Sequence, residues 1–139
     1  MRIRFTATVK DKLPTMGRRA EERLGQVVRK TALDIEAAAK LRCPVDTGAC
    51  RASIHSVTDR TNGYSAAAAA TKAANGGAEV FPAERPEGPM QAIVAVAAAH
   101  GIYVEMGTTR MPARPYVTPA FEQAAEPFRK ALAAAVSEE

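Results

Sequence analysis

Three features of the 139-residue sequence predict an α+β fold, in which a long N-terminal amphipathic helix and a C-terminal helix pack on a small, mainly antiparallel sheet. Residues 2–9 alternate, so Ile3, Phe5, Ala7 and Val9 would share one face of a half-buried strand. From Met16 to Arg42 apolar residues recur every three or four positions, as a helix lying on a core requires. Ala92 to Ala99 is a short continuous apolar run with β-branched residues, the composition of a buried strand.

Taken in order, Pro14 and Thr15 signal a helix entry. Ala20, Leu24, Val27, Val28, Thr31, Ile35, Ala38 and Ala39 then form the apolar stripe. Pro44 drives Cys43 out of helical geometry and ends the helix. Val45-Asp46-Thr47-Gly48 reads as a turn, with the Asp46 carboxylate placed to accept amides just downstream. A short helical turn and a strand from Ser53 to Asp59 follow, closed by the turn signal Thr61-Asn62-Gly63. The alanine-rich stretch Tyr64 to Ala74 favours helix by propensity, although alanine also suits a tightly covered strand. The Pro/Gly-rich segment Asn75 to Met90 predicts a long loop. Ile102 to Met106 is read as a short strand, with Val104 and Met106 turned inward and Glu105 outward. Prolines 112, 115 and 119 make residues 108–118 an extended arm, and Thr118-Pro119 starts the last helix. That helix carries a stripe of Phe121, Ala125, Phe128, Leu132 and Val136, and Pro127 should kink or restart it near Glu126.

The length suits one domain spanning residues 1–139. Of the 47% apolar residues, 30 positions are alanine, so few large side chains remain to build a core. A subunit that gains stability from neighbours of its own kind is expected, and a large self-sufficient enzyme is excluded. No run approaches the roughly 20 apolar residues of a membrane span. The N-terminal residues lack the apolar region of a secretory signal, so none is expected. Two cysteines, Cys43 and Cys50, make no disulfide framework, and a reducing cytoplasm is the expected compartment. The net charge of +4 is concentrated before residue 60, which suits DNA or an acidic partner surface.

Asp46-Thr47-Gly48-Ala49 matches the short signature of retropepsin-like aspartic proteases, which need a second such aspartate from a dimer partner and apolar strands on either side. A helix-capping turn is the simpler reading. Cys43, Cys50, His55 and His100 lack the tight pairs of a zinc site, and half-buried packing residues explain them better. Phosphate loops, dinucleotide fingerprints and Ser/His/Asp arrangements are missing from the sequence, and no cofactor is expected. Arg18, Arg19, Arg23, Arg29 and Lys30 lie off the apolar stripe. A solvated face is the ordinary explanation; the sharper one is contact with DNA phosphate or an acidic partner, in the manner of a non-specific DNA-binding protein.

Two blocks are more informative. The first is Pro44-Val45-Asp46-Thr47-Gly48-Ala49-Cys50-Arg51-Ala52-Ser53-Ile54. The second is Tyr103-Val104-Glu105-Met106-Gly107-Thr108, followed by Met111-Pro112-Ala113-Arg114-Pro115-Tyr116 and Pro119-Ala120. In order and spacing these blocks resemble the small neck or tail-component family of long-tailed, lambdoid-type bacteriophages, to which the minor tail protein Z group looks related. Cys50 stands where that family usually has leucine, Met106 where it has phenylalanine, and His100-Gly101 where it has Tyr-Ala.

The resemblance implies a structural, non-enzymatic virion protein that forms a homo-oligomeric ring, of six copies, at the head–tail junction. Its implied partners are itself, head-completion or connector proteins, tail-terminator or tail-tube proteins, and phage DNA passing through the channel, with no membrane. Its implied location is the virion neck or tail, and the host cytoplasm during assembly. The motif residues expected to build structure or interface are Asp46, Thr47, Gly48, Arg51, Glu105, Gly107, Thr108, Arg114 and Pro115. Arg18, Arg19 and Arg23 are the candidates for a DNA channel or partner contact. Glu105 is expected to pair with Arg114 or Arg51, within the subunit or across the ring. A dimeric aspartic protease using Asp46 and a non-specific DNA-binding protein are the alternatives.

Overall fold

The structure is a computed structural model that describes residues 2–6 and 17–137; the expected helix entry at Pro14 and Thr15, and Ala7 and Val9 of the first strand, lie outside them. In chain order the elements are β1 (Arg2–Thr6), α1 (Arg18–Arg42), α2 (Ala49–Ser53), β2 (Ile54–Val57), α3 (Tyr64–Ala74), β3 (Gln91–Val96), α4 (Gly101–Met106) and α5 (Val117–Ser137). The architecture is α+β, as the sequence predicts.

The sheet has the order β1-β3-β2 and is antiparallel throughout. Arg2 stands opposite Ala95 and Thr6 opposite Gln91 on one side of β3, while Ile54 stands opposite Val96 and Val57 opposite Ile93 on the other. β3 is thus the central strand, and both of its faces are covered. Ala92, Val94 and Val96 join Ile54 against Val28, Ala32, Ile35 and Ala39 of α1. Ile93 and Ala95 form a second, smaller cluster with Val57. Burial on two faces explains why β3 reads as an unbroken apolar run rather than an alternation.

The stripe of α1 is buried at Ala20, Leu24, Val28, Thr31, Ala32, Ile35 and Ala39. The helix ends as Pro44 demands: Cys43 is extended at ψ 124°, and its amide makes the last bond to the Ala39 carbonyl. The alanine-rich segment is the helix α3. Its fully buried Thr71 returns its hydroxyl to the Ala67 carbonyl at 2.7 Å, which satisfies the one polar side chain on its inner face. Residues 75–90 are irregular apart from a bridge between Val80 and Ala98.

Two elements differ from expectation. The segment read as a strand at 102–106 is α4. Glu105 is buried, four residues from buried Gly101 on the same helix face, whereas Met106 is 72% exposed. Glu105 and Met106 are therefore the reverse of the strand reading, while Val104 is partly buried and packs against the core as expected. The last helix begins at Val117, one residue before the expected cap Thr118, and runs unbroken through Pro127 to Ser137. Proline removes one backbone bond there, but Phe121, Ala124, Phe128 and Leu132 pack the helix against the core along both sides of it, and packing sets helical stability more than local propensity does. α5 meets the sheet-side core through Val117 and Ala120 and lies along α1 for the rest of its length.

Gly101, the first residue of α4, packs against Val96 of β3 and Tyr116, the residue before α5. A Cβ there would collide with Val96 Cγ1 and sit 2.9 Å from the Tyr116 hydroxyl. Gly101→Ala therefore lowers folding stability by about 1–3 kcal/mol, the usual cost of overpacking. Chemical denaturation measures this, and an unchanged midpoint would contradict it.

Candidate functional site

The two motif blocks meet at Glu105 and Tyr116. The first amides of a helix have no partner within it, and they carry the positive end of its dipole. Glu105 supplies that partner for α5. Its Oε2 accepts the Tyr116 amide at 2.7 Å and the Val117 amide at 3.0 Å, and its Oε1 accepts the Thr118 amide at 3.0 Å. Burial pushes the Glu105 carboxyl upward, but a side-chain hydrogen bond from Thr118 and the three amides outweigh it, so the pKa lies below the usual range. The expected partner, Arg114 or Arg51, is thereby corrected: Glu105 is a buried helix cap. An interior carboxylate needs several fixed donors, and the helix terminus provides three.

Tyr116 is fully buried. Its hydroxyl donates to the Gly101 carbonyl at 2.9 Å and accepts the Cys50 thiol at 3.4 Å. Burial, followed by the hydrogen bond with Cys50, raises its pKa. One ring therefore ties the first block (Cys50) to the second (Gly101), and its own amide to Glu105. Sequence reasoning passed over Tyr116 as a site residue. The signal that could have found it is a lone aromatic between Pro115 and the final helix, in a chain with only 5% aromatics.

Above this buried junction lies a groove of about 350 Å³ between the first-block turn, α4 and the arm, lined in part by Val45, Asp46, Tyr103, Met111 and Arg114. Val45 is 55% exposed and Tyr103 57%. Ile102 and Met106 on α4, and Leu41 at the end of α1, are further exposed apolar residues. Gly48 turns the chain with φ 87°, and the Ala49 amide donates to Thr47 Oγ1 at 3.2 Å, so Thr47 takes the role expected of Asp46. Arg51 reaches across the turn to the Cys43 carbonyl at 3.3 Å.

The arm does not run straight from α4. Gly107 adopts φ 77°, and a Cβ on it would lie 2.6 Å from the Ala113 nitrogen. Thr108 and Met111 then close a turn by an antiparallel bridge, with the Arg110 amide on Thr108 Oγ1. The Arg114 amide bonds the Val104 carbonyl at 2.9 Å, which lays the arm back along α4. Arg114 and Pro115 are exposed, and the Arg114 guanidinium reaches the Met111 sulfur at 3.9 Å.

The basic residues of α1 do not form one open face. Arg18 and Arg19 are exposed. Arg23 is half-buried, and its Nε donates to the Ala135 carbonyl at 3.3 Å, fastening α1 to the far end of α5. Arg29 pairs with Asp59 at 3.3 Å and Lys30 with Asp34 at 3.0 Å. Asp46 sits on an exposed turn between two helices, without the flanking strands of a protease site. Among the described residues no group of three or more His, Cys, Asp and Glu side chains could hold a metal ion. His55 is buried on β2, with Nδ1 3.0 Å from the Ser53 carbonyl, while His100 borders the groove.

Glu105→Ala strands the α5 amides and lowers stability by about 1–3 kcal/mol, whereas Glu105→Gln, which keeps an acceptor oxygen, costs less. The folded-state pKa of Glu105 lies below its unfolded value, so its stabilisation is fully present above about pH 4.5 and is lost as pH falls through the folded pKa. Wild type and Glu105→Gln should therefore converge in stability in acid. Urea titrations from pH 7 downward test this, and a difference constant with pH would refute it.

No curated protein and no solved structure matches the chain. Among the described residues no helix is long and apolar enough to cross a membrane. A family described as "Bacteriophage HK97-gp10, putative tail-component" matches residues 7–107, which span α1, the first block, the sheet's central strand and α4. The chain belongs to this HK97-gp10-like family of bacteriophage tail components.

Proposed function

We propose that this protein is a structural virion component that forms a homo-oligomeric ring, of six copies, at the head–tail junction and joins head to tail. One observation carries the reading: both motif blocks converge on a single surface, where the groove is bordered by Val45 and Tyr103, more than half exposed around a rigidly fastened base. Exposed apolar side chains on a fixed support suit docking. The partners are further copies of this chain together with head-completion or connector and tail-terminator or tail-tube proteins. The protein assembles in the host cytoplasm and resides in the virion.

Val45→Asp and Tyr103→Asp should leave helical content and monomer stability unchanged while reducing joined particles at least tenfold, with filled heads and free tails accumulating. Electron microscopy of lysates reads this directly, and normal joining in both variants would sink the proposal. Imaging of wild-type particles should show six copies in a closed ring; a single asymmetric copy would contradict it.

Contact with channel DNA falls to Arg18 and Arg19, which remain exposed at the start of α1. Such contact acts on phosphate without sequence preference. Reversing both charges should impair DNA retention or ejection while assembly proceeds. Normal packaging and ejection would leave these residues as a solvated face.

A further inference from the structure

Among the described residues two aromatic side chains are exposed, Tyr103 at 57% and Phe81 at 60%. Tyr103 borders the groove, whereas Phe81 is not among the residues that line it. Phe81 stands on the irregular segment between α3 and β3, yet its backbone is fixed. The Phe81 amide donates to the Ala97 carbonyl at 2.9 Å, and the Ala99 amide donates to the Glu79 carbonyl at 2.9 Å. These two bonds flank the antiparallel bridge between Val80 and Ala98, just beyond the end of β3. Pro82 restricts the residue before it, Phe81, to extended backbone. The ring is thus held in water on a backbone that has already lost its freedom. Burying it against a partner removes apolar surface from water at little further cost in ordering.

The groove and the Phe81 segment are also complementary in charge. Arg114 lines the groove, and exposed Arg51 and Arg110 adjoin Cys50 and Met111 of its lining, against a single acidic lining residue, Asp46. Residues 79–87 carry exposed Glu79, Glu84 and Glu87 against one basic residue, Arg85. Such surfaces attract one another, whereas two grooves or two such segments repel. At about 350 Å³ the groove lies at the small end of the roughly 300–1,000 Å³ of binding clefts, the scale of one aromatic anchor rather than of a whole strand.

We propose that the occupant of the groove is the Phe81 segment of the next copy of this chain, with Phe81 packed against Tyr103 and Glu79 facing Arg114. The inference rests on the ring reading above and names the contact that closes it. Each copy offers one groove and one Phe81 segment, so the contact is head-to-tail, and repetition around a closing rotation gives a ring. Aromatic pairs favour offset or edge-to-face packing, and the surrounding charges set register and orientation.

The test puts the photo-crosslinking residue p-benzoylphenylalanine in place of Phe81 in the full chain, in particles that have no other source of the protein. Irradiation should give a ladder of covalent multimers of this chain extending beyond the dimer, with peptides linking position 81 to residues 44–50 or 103–114. In a second measurement, Glu79→Arg and Arg114→Glu should each lower the yield of joined particles about fivefold or more, and the two together should restore it to within about twofold of wild type. Circular dichroism confirms the fold of each variant. No linkage, linkage to a different virion protein, products that stop at the dimer, single variants that join normally, or a double variant no better than the worse single one would overturn this contact. A six-copy ring in wild-type particles would then leave the ring reading standing, whereas a single copy overturns both. Where one measurement fails because its variant does not fold or enter particles, the other decides alone.

Discussion

A single carboxylate organises the junction of this fold. Glu105 is 4% exposed and receives three amides at the start of α5. Taking a carboxylate out of water costs several kcal/mol unless fixed donors replace the lost hydration. Hydrogen bonds to an ionised acceptor are worth about 1.5–3 kcal/mol each, so three of them outweigh a penalty of that size. The depressed pKa of Glu105 says the same: the donors win over burial. The helix dipole adds to the same sign.

From that cap the remaining geometry follows. Holding the α5 start against α4 seats Tyr116 between Gly101 and Cys50. Tyr116 in turn fixes α2, and with α2 the Pro44–Ala49 turn. The exposed apolar residues of the groove are therefore mounted on buried polar bonds rather than on a large apolar core. This suits a chain in which alanine supplies so much of the apolar content: small side chains let helices approach closely, and a few directed bonds set the angles that bulk would otherwise set. Arg23 plays a comparable part at the opposite end of α5, where it holds the Ala135 carbonyl.

What the sequence made legible was whatever depends on periodicity. The α1 stripe, the unbroken run of β3, the alanine-rich helix and the stop at Pro44 all express local rules and stand where expected. What it hid depends on tertiary partners. Ile102 to Met106 is too short for period two and period 3.6 to be told apart. Glu105 followed by Arg114 looks like an ion pair in one dimension; the competing acceptor need, three amides at a helix start, is invisible until α5 is placed. Pro127 reads as a break because the packing of Phe128 and Leu132 cannot be read from the local sequence. The two blocks were recognisable as pieces, but their meeting at Tyr116 is a property of the fold.

The central claim, that the Glu105 carboxylate holds the start of α5 and through it the groove, is tested most directly by amide hydrogen exchange at Tyr116, Val117 and Thr118. In the wild type these three amides should exchange as slowly as the central strand β3, opening only with global unfolding, and in Glu105→Gln they should exchange faster while β3 keeps its relative protection. Fast exchange of the three amides in the wild type, or protection unchanged by the substitution, would contradict it.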